Sequence, residues 1–319
     1  MKRGKRMKNT RFITEGAVLL AVYIILLLAS LYIPILNFFI SLALPLPFIL
    51  FSIRYDVKRS LILVAVASLV TMIVSSPLTI TNTVMFGTAG IVFGSMYKRN
   101  RKPLEILLAG TLIYIVNIVV LYIVSIQLLH YNFITELKDV FNQSIQQAEQ
   151  ITKATGAQVN EEQMKQLKQT LGLIGYLLPM LVVASGLMMA WFTQLIAAPV
   201  LKRLRNPVQP WPPFRDIQFP KSVLWYYVLF LIITMFYKAE EGTYLYIALL
   251  NLNFLLQWIM AAQGFSFIAF WSHSKGYPKA FPIILFVVSL LMTILFSLVS
   301  FLGIIDLGFG LRNRLEKRV

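Results

Sequence analysis

The chain has no cysteine and only two histidines, His130 and His273. The first absence excludes disulfides, thiolate metal sites and a cysteine nucleophile. The second leaves no histidine cluster, so no metal is expected, and nothing in the sequence calls for another cofactor. Charge is scarce too: 13% of the 319 residues are charged, against about 25% in a soluble domain. No carboxylate stands in the middle of an apolar stretch, where a proton relay would need one. No run resembles a phosphate-binding P-loop. A serine–histidine pair, twin membrane aspartates and a zinc motif are also missing, so the chain reads as a non-enzyme.

Apolar carbon takes the place of charge. Hydrophobic residues make up 58% of the chain, and its mean hydropathy is +0.74. Nine apolar stretches run along it. Those at 16–33, 78–97, 104–129, 171–201, 243–271 and 281–305 come near or exceed the roughly 20 residues that cross a hydrocarbon core as a helix. Those at 35–53, 60–76 and 222–237 are shorter. All are solidly apolar rather than alternating, which selects helices over a β-barrel. The expected fold is all-α, a polytopic transmembrane helical bundle of eight or nine segments.

The charge that remains is mostly basic, 29 Lys and Arg against 13 Asp and Glu, for a net +16. In a chain this apolar, such an excess reads as membrane orientation and contact with anionic headgroups, not as nucleic-acid binding. Basic residues crowd the tail 1–12 and alternate gaps: Arg54, Lys58 and Arg59; Lys98, Arg99, Arg101 and Lys102; Lys202, Arg203 and Arg205; Lys275 and Lys279. The opposite gaps hold Glu136, Asp139, Glu149, Glu161, Glu162, Glu240 and Glu241 among fewer lysines. The positive-inside rule then puts the N-terminus in the cytoplasm of a bacterial cell, the protein being multi-pass in the inner membrane, and makes 1–12 a tail rather than a cleaved leader. One conflict arises. Nine crossings would leave the basic tail 309–319 outside. Either one segment does not cross, for which Pro45 and Pro47 make the second a candidate, or the last segment ends in a re-entrant piece near Gly303, Gly308 and Gly310.

The pattern divides into a six-helix membrane core at 13–201, a Pro-rich cytoplasmic linker at 202–220 and C-terminal membrane segments at 221–308. Five prolines lie between 207 and 220, too many for a continuous helix. Inside the core, 130–170 is an extracytoplasmic amphipathic insertion. Leu137, Phe141, Ile145 and Ala148 form one stripe, which Thr155-Gly156 interrupts. Asn160 and Gln163 resemble a capping box opening a second piece with Met164, Leu167 and Leu171 on one face. It caps the outer surface or acts as a lid.

Polar side chains inside apolar helices are costly, so each marks a possible site. Asn82 and Thr83 lie at the outer end of the fourth segment, and Asn117 is mid-way along the fifth with Tyr114 one turn away. These four are the ligand-binding candidates; bonds between helices are the alternative use of the same groups. Asn253 and Gln257 share a face by their spacing. Gly90 and Gly94 form a GxxxG pair continued by Gly87, which is expected to pack helices internally. Ala17 and Ala21 form a small-residue face on the first helix.

That first helix, Thr14-Glu15-Gly16-Ala17-Val18-Leu19-Leu20-Ala21, leads a six-helix block with both ends inside. It is similar to the substrate-binding (S) component of energy-coupling-factor vitamin transporters. In those proteins an AxxxA face docks a coupling subunit, and the resemblance assigns that role to Ala17 and Ala21. The three segments after residue 220 and the insertion 130–170 depart from the six-helix plan, and no vitamin-ligand motif carries over. The whole chain, with its Gly303-Ile304-Ile305-Asp306 ending and Arg312, more closely resembles the YybS family of uncharacterised bacterial membrane proteins. Two functions follow as expectations. The first is a transporter component that binds a small-molecule ligand and hands it to a coupling subunit. The second is a non-transporting scaffold whose basic loops recruit cytoplasmic partners or anionic lipid from the surrounding bilayer.

Overall fold

A computed structural model describes residues 2–154, 162, 172–173 and 175–316. The interruption at Thr155-Gly156, the Asn160–Gln163 box and the face of Met164, Leu167 and Leu171 lie outside the described residues. Everything regular among the described residues is helical. The elements are α1 (Lys2–Tyr32), α2 (Asn37–Ser41), α3 (Leu46–Arg54), α4 (Val57–Val74), α5 (Ile80–Lys98), α6 (Pro103–Leu129), α7 (Phe133–Ala154), α8 (Leu178–Arg203), α9 (Lys221–Phe236), α10 (Tyr244–Ser274), α11 (Ala280–Leu291), α12 (Thr293–Phe309) and α13 (Leu311–Glu316). Among the described residues, seven helices are long and apolar enough to cross a membrane, and α9, α11 and α12 are shorter apolar helices.

Local chemistry explains most boundaries. Pro45 and Pro47 end the second apolar run's first piece, so that run folds as α2 and α3 with a turn between them. Asn132 caps α7 by accepting from the backbone N–H groups of Ile134 and Thr135. The stripe of α7 is expressed in part: Ile145 is buried and Leu137 and Phe141 are half-buried, but Ala148, its last expected member, is exposed. Gly310 takes the left-handed conformation (φ +59°) and stops α12 through its N–H to the Asp306 carbonyl.

Two compact units divide the chain. The first comprises residues 1–151 and 181–210. Its core gathers Tyr23 and Leu27 of α1, Phe48 and Phe51 of α3, Ala67 of α4, Phe93 of α5, Tyr114 of α6 and Ala197 of α8, all fully buried. The GxxxG pair packs internally, as its spacing predicted. A Cβ on Gly94 would lie 2.6 Å from Ser52 Cβ and 2.7 Å from the Ile49 carbonyl, and one on Gly90 would strike Phe48. Contacts at 45–48 with 90 and at 49–52 with 94 advance together, so α3 and α5 run parallel.

The second unit comprises residues 152–180 and 211–319. Asn251 of α10 donates to the Tyr176 carbonyl (2.6 Å) and accepts from the Met180 N–H (2.8 Å), stapling the entry to α8. A second glycine crossing joins α10 to α12: a Cβ on Gly303 would lie 2.8 Å from the Gly264 nitrogen and collide with the Met260 carbonyl. Pairing of Gln257 with Ser300 and of Gln263 with Asp306 shows that α10 and α12 run in the same direction. The intervening α11 runs the other way, since the Phe281 ring lies 6.4 Å from Trp271 while Phe286 packs on Phe265 at 5.0 Å. The last apolar run is therefore a hairpin, broken at the extended residue Met292. At 12 residues, α11 is about 18 Å long, short of a hydrocarbon core of about 30 Å.

Candidate functional site

None of the four ligand-binding candidates lines either of the two cavities described below. The Thr83 hydroxyl is fully buried, accepts from the Tyr23 hydroxyl at 2.8 Å and reaches Thr71 at 3.0 Å, linking α1, α4 and α5. Tyr114 on α6 meets Thr193 on α8 at 2.8 Å. Asn117 donates to Thr88 across α5 and α6 at 2.9 Å and to the Ile113 carbonyl. Asn82 is half-buried beside Thr83. Three of the four thus spend their polar atoms on bonds between helices. Ala17 and Ala21 lie on an exposed face of α1, with Val18, Val22 and Ile25 around them.

A charged cleft stands elsewhere in the first unit, where the end of α3 and the start of α4 meet the 11–15 stretch of α1. It encloses about 560 Å³ and is lined by Arg11, Glu15, Arg54, Tyr55 and Arg59. Glu15 follows Arg11 by one helical turn, and its Oε1 accepts from Arg11 Nε at 2.8 Å. Its Oε2 lies 3.1 Å from Arg54 Nη1 and accepts from the Tyr55 hydroxyl at 3.0 Å. Arg59 pairs with Asp56 at 3.4 Å and lies over the Phe12 ring. The rings of Phe12, Phe51 and Tyr55 pack together behind these charges. Lys98 donates to the Tyr55 carbonyl at 3.0 Å. Burial, and secondly the hydrogen bond to Glu15, push the Tyr55 hydroxyl above its ordinary pKa, so it remains a proton donor at neutral pH. Arg11 and Arg54 share Glu15 while Arg59 pairs with Asp56, so three guanidiniums meet two carboxylates and the cleft keeps a net positive charge with guanidinium N–H groups to offer an anionic oxygen. The sequence places Arg11 in the basic tail, Arg54 and Arg59 in a basic gap and Glu15 in the first helix, with nothing to join them. Only folding brings residues 40 apart to one carboxylate.

The second unit holds a polar cluster that the sequence did not announce. Asp306 Oδ2 accepts from Gln263 Nε2 at 2.6 Å and from Arg312 Nε at 3.0 Å, with both charged groups buried. Arg312 also donates to the Arg215 carbonyl (2.7 Å) and to Ser266 (3.1 Å). The Ser266 hydroxyl reaches the carbonyls of Phe214 (2.8 Å) and Ile217 (2.6 Å), and the Phe219 N–H donates to Gln263 at 3.0 Å. These bonds fasten the second half of the Pro-rich linker to α10. The sequence marks Asp306 and Arg312 as parts of a family-like ending and Phe214 and Arg215 as parts of the linker, but gives no sign of Gln263 or Ser266. Among the described residues no three of His, Cys, Asp and Glu gather as a metal site.

Comparison with known proteins fits this architecture. A family model described as "Predicted membrane protein (DUF2232)" matches residues 21–307. The chain belongs to that family. It is also 36% identical over 313 residues to "Uncharacterized protein YybS" of Bacillus subtilis (strain 168), covering 97% of this chain and 100% of that protein. No solved structure matches.

Proposed function

We propose that the chain is a non-transporting scaffold of a bacterial cell membrane, whose basic cytoplasmic end recruits a partner or lipid bearing anionic groups. The observation that carries this reading is the cleft of Arg11, Arg54 and Arg59 around Glu15, a built positive site at the end where basic residues crowd. The bonds that engage Thr83, Tyr114 and Asn117 favour it further, because groups tied between helices have little left for a solute. The N-terminus lies inside by the positive-inside rule. The direction of α12 supports the same orientation: it carries Arg312 and Arg314 back to the end of the unit where Lys275 and Lys279 emerge. The conflict raised by nine full crossings then disappears. No catalysis is assigned to the chain.

A second reading keeps one observation of its own. Ala17 and Ala21 are exposed and small, as docking of a coupling subunit onto an S-component-like core would need. Co-purification from native membranes in mild detergent separates the two. Partners lost from the Arg54→Gln/Arg59→Gln protein, or when Arg99, Arg101, Lys202 and Arg203 are neutralised, support the scaffold. Recovery of a coupling subunit and ATPases, abolished by Ala17→Leu/Ala21→Leu alone, overturns it in favour of transport.

A further inference from the structure

The second unit contains a cavity of about 940 Å³ between α10 and the α11–α12 hairpin. Its walls are almost wholly apolar, including Leu285, Leu298 and Val299, and its one charged lining residue is Arg314. The volume is at the upper end of the roughly 300–1,000 Å³ of small-molecule sites, yet the lining offers little for a polar solute to bond. The long hydrophobic part of an amphiphile suits it better.

The polar end is sharply placed. Arg314 is exposed and has no acidic partner among the described residues. Trp271 and Phe281 line the same cavity, and Tyr277 stacks on both, at 5.3 and 5.6 Å. Such an amphipathic aromatic group belongs at headgroup depth in a bilayer. Lys275 and Lys279 lie in the adjoining turn. The cation is therefore at headgroup level, and the apolar walls lead away from it beside helices of membrane composition. Leu298 is 58% exposed, which leaves one lip of the cavity open along the helix surface.

We infer that this cavity binds an anionic glycerophospholipid, with an acyl chain between α10 and the α11–α12 hairpin and the phosphate on Arg314. Charge complementarity selects the headgroup and the wall chemistry selects the chain. The site belongs to the second unit, the Arg11–Arg54–Arg59 cleft to the first, and it does not depend on the scaffold reading.

Native mass spectrometry of the full-length protein in mild detergent tests it, with phosphatidylglycerol and phosphatidylcholine of identical chains as probes. The expected result is at least a fivefold preference for phosphatidylglycerol, the value of one basic side chain at a membrane surface. Arg314→Gln should abolish that preference while leaving chain-dependent binding, and Leu298→Trp should weaken both lipids by filling the cavity. Equal binding of the two lipids, or an unchanged preference in Arg314→Gln, overturns the assignment. So does binding of soluble glycerol phosphate as strong as that of the lipid, or a lipid-free dimer that Leu298→Trp dissociates.

Discussion

Removing the Arg312 side chain should cost the second unit more than any exposed charge in the protein. The guanidinium is 8% exposed and its partner Asp306 is fully buried, with a carboxylate–guanidinium distance of 3.0 Å. Arg312→Met keeps much of the apolar stem but leaves Asp306 with Gln263 as its remaining partner. It also strands the Arg215 carbonyl and takes one donor from the Ser266 hydroxyl, which keeps its bonds to Phe214 and Ile217. An ion left unpaired in a buried site destabilises by about 3–5 kcal/mol. Removing both charges is far milder, because neither is then stranded, so Asp306→Leu/Arg312→Met should recover most of the loss. The assay is denaturant unfolding in mild detergent, followed by tryptophan fluorescence. Limited proteolysis across 206–220 serves as a local readout, because Phe214, Ile217 and Phe219 are held by Ser266 and Gln263. The reasoning fails if the single variant unfolds at the wild-type midpoint, or if the double variant loses the sum of the two single effects.

Three further outcomes follow from the geometry. Gly264→Ala should lower stability by about 1–3 kcal/mol, because its Cβ would meet the Val299 carbonyl, a backbone group that cannot rotate aside; an unchanged unfolding midpoint would refute the close crossing. Thr83→Val should cost about 1 kcal/mol, since it removes the acceptor of the buried Tyr23 hydroxyl and the donor to Thr71, and the Tyr23→Phe/Thr83→Val pair should cost little more; strict additivity in a double-mutant cycle would count against the bond. Because the chain has no native cysteine, single cysteines placed at 279 and 314 should react with a membrane-impermeant thiol reagent from the same face, and one at 241 from the opposite face. Labelling of 279 and 314 from opposite faces would disprove the returning hairpin.

Much of this architecture is legible in the sequence because each signal is local. A run of about 20 apolar residues forces a helix in hydrocarbon, since backbone N–H and C=O groups have no other partners there. Pro45 and Pro47 remove hydrogen-bond donors, so the break in the second run is visible in the residues themselves. Gly90 and Gly94 announce a close helix approach by being small at a spacing of four. The stripe on α7 is a matter of helical period alone. Family membership, too, follows from the chain's own order of residues.

What only tertiary structure decides is which distant groups meet. The run 281–305 is continuously apolar, with nothing at Met292 to foretell a reversal; the hairpin becomes visible only where Phe286 packs on Phe265 and Gly303 seats against Gly264. Asp306 and Arg312 are six apart, a separation that does not share a helix face. They pair because Gly310 ends α12 and lets the chain turn back toward α10. Tyr114 and Asn117 can be read as ligand groups or as ties between helices, and the choice depends on whether Thr193 and Thr88 stand opposite them. Hydropathy acts through solvent and therefore along the chain. Hydrogen bonds and salt bridges act over about 3 Å, so the partners of a polar side chain are fixed only when the helices have packed.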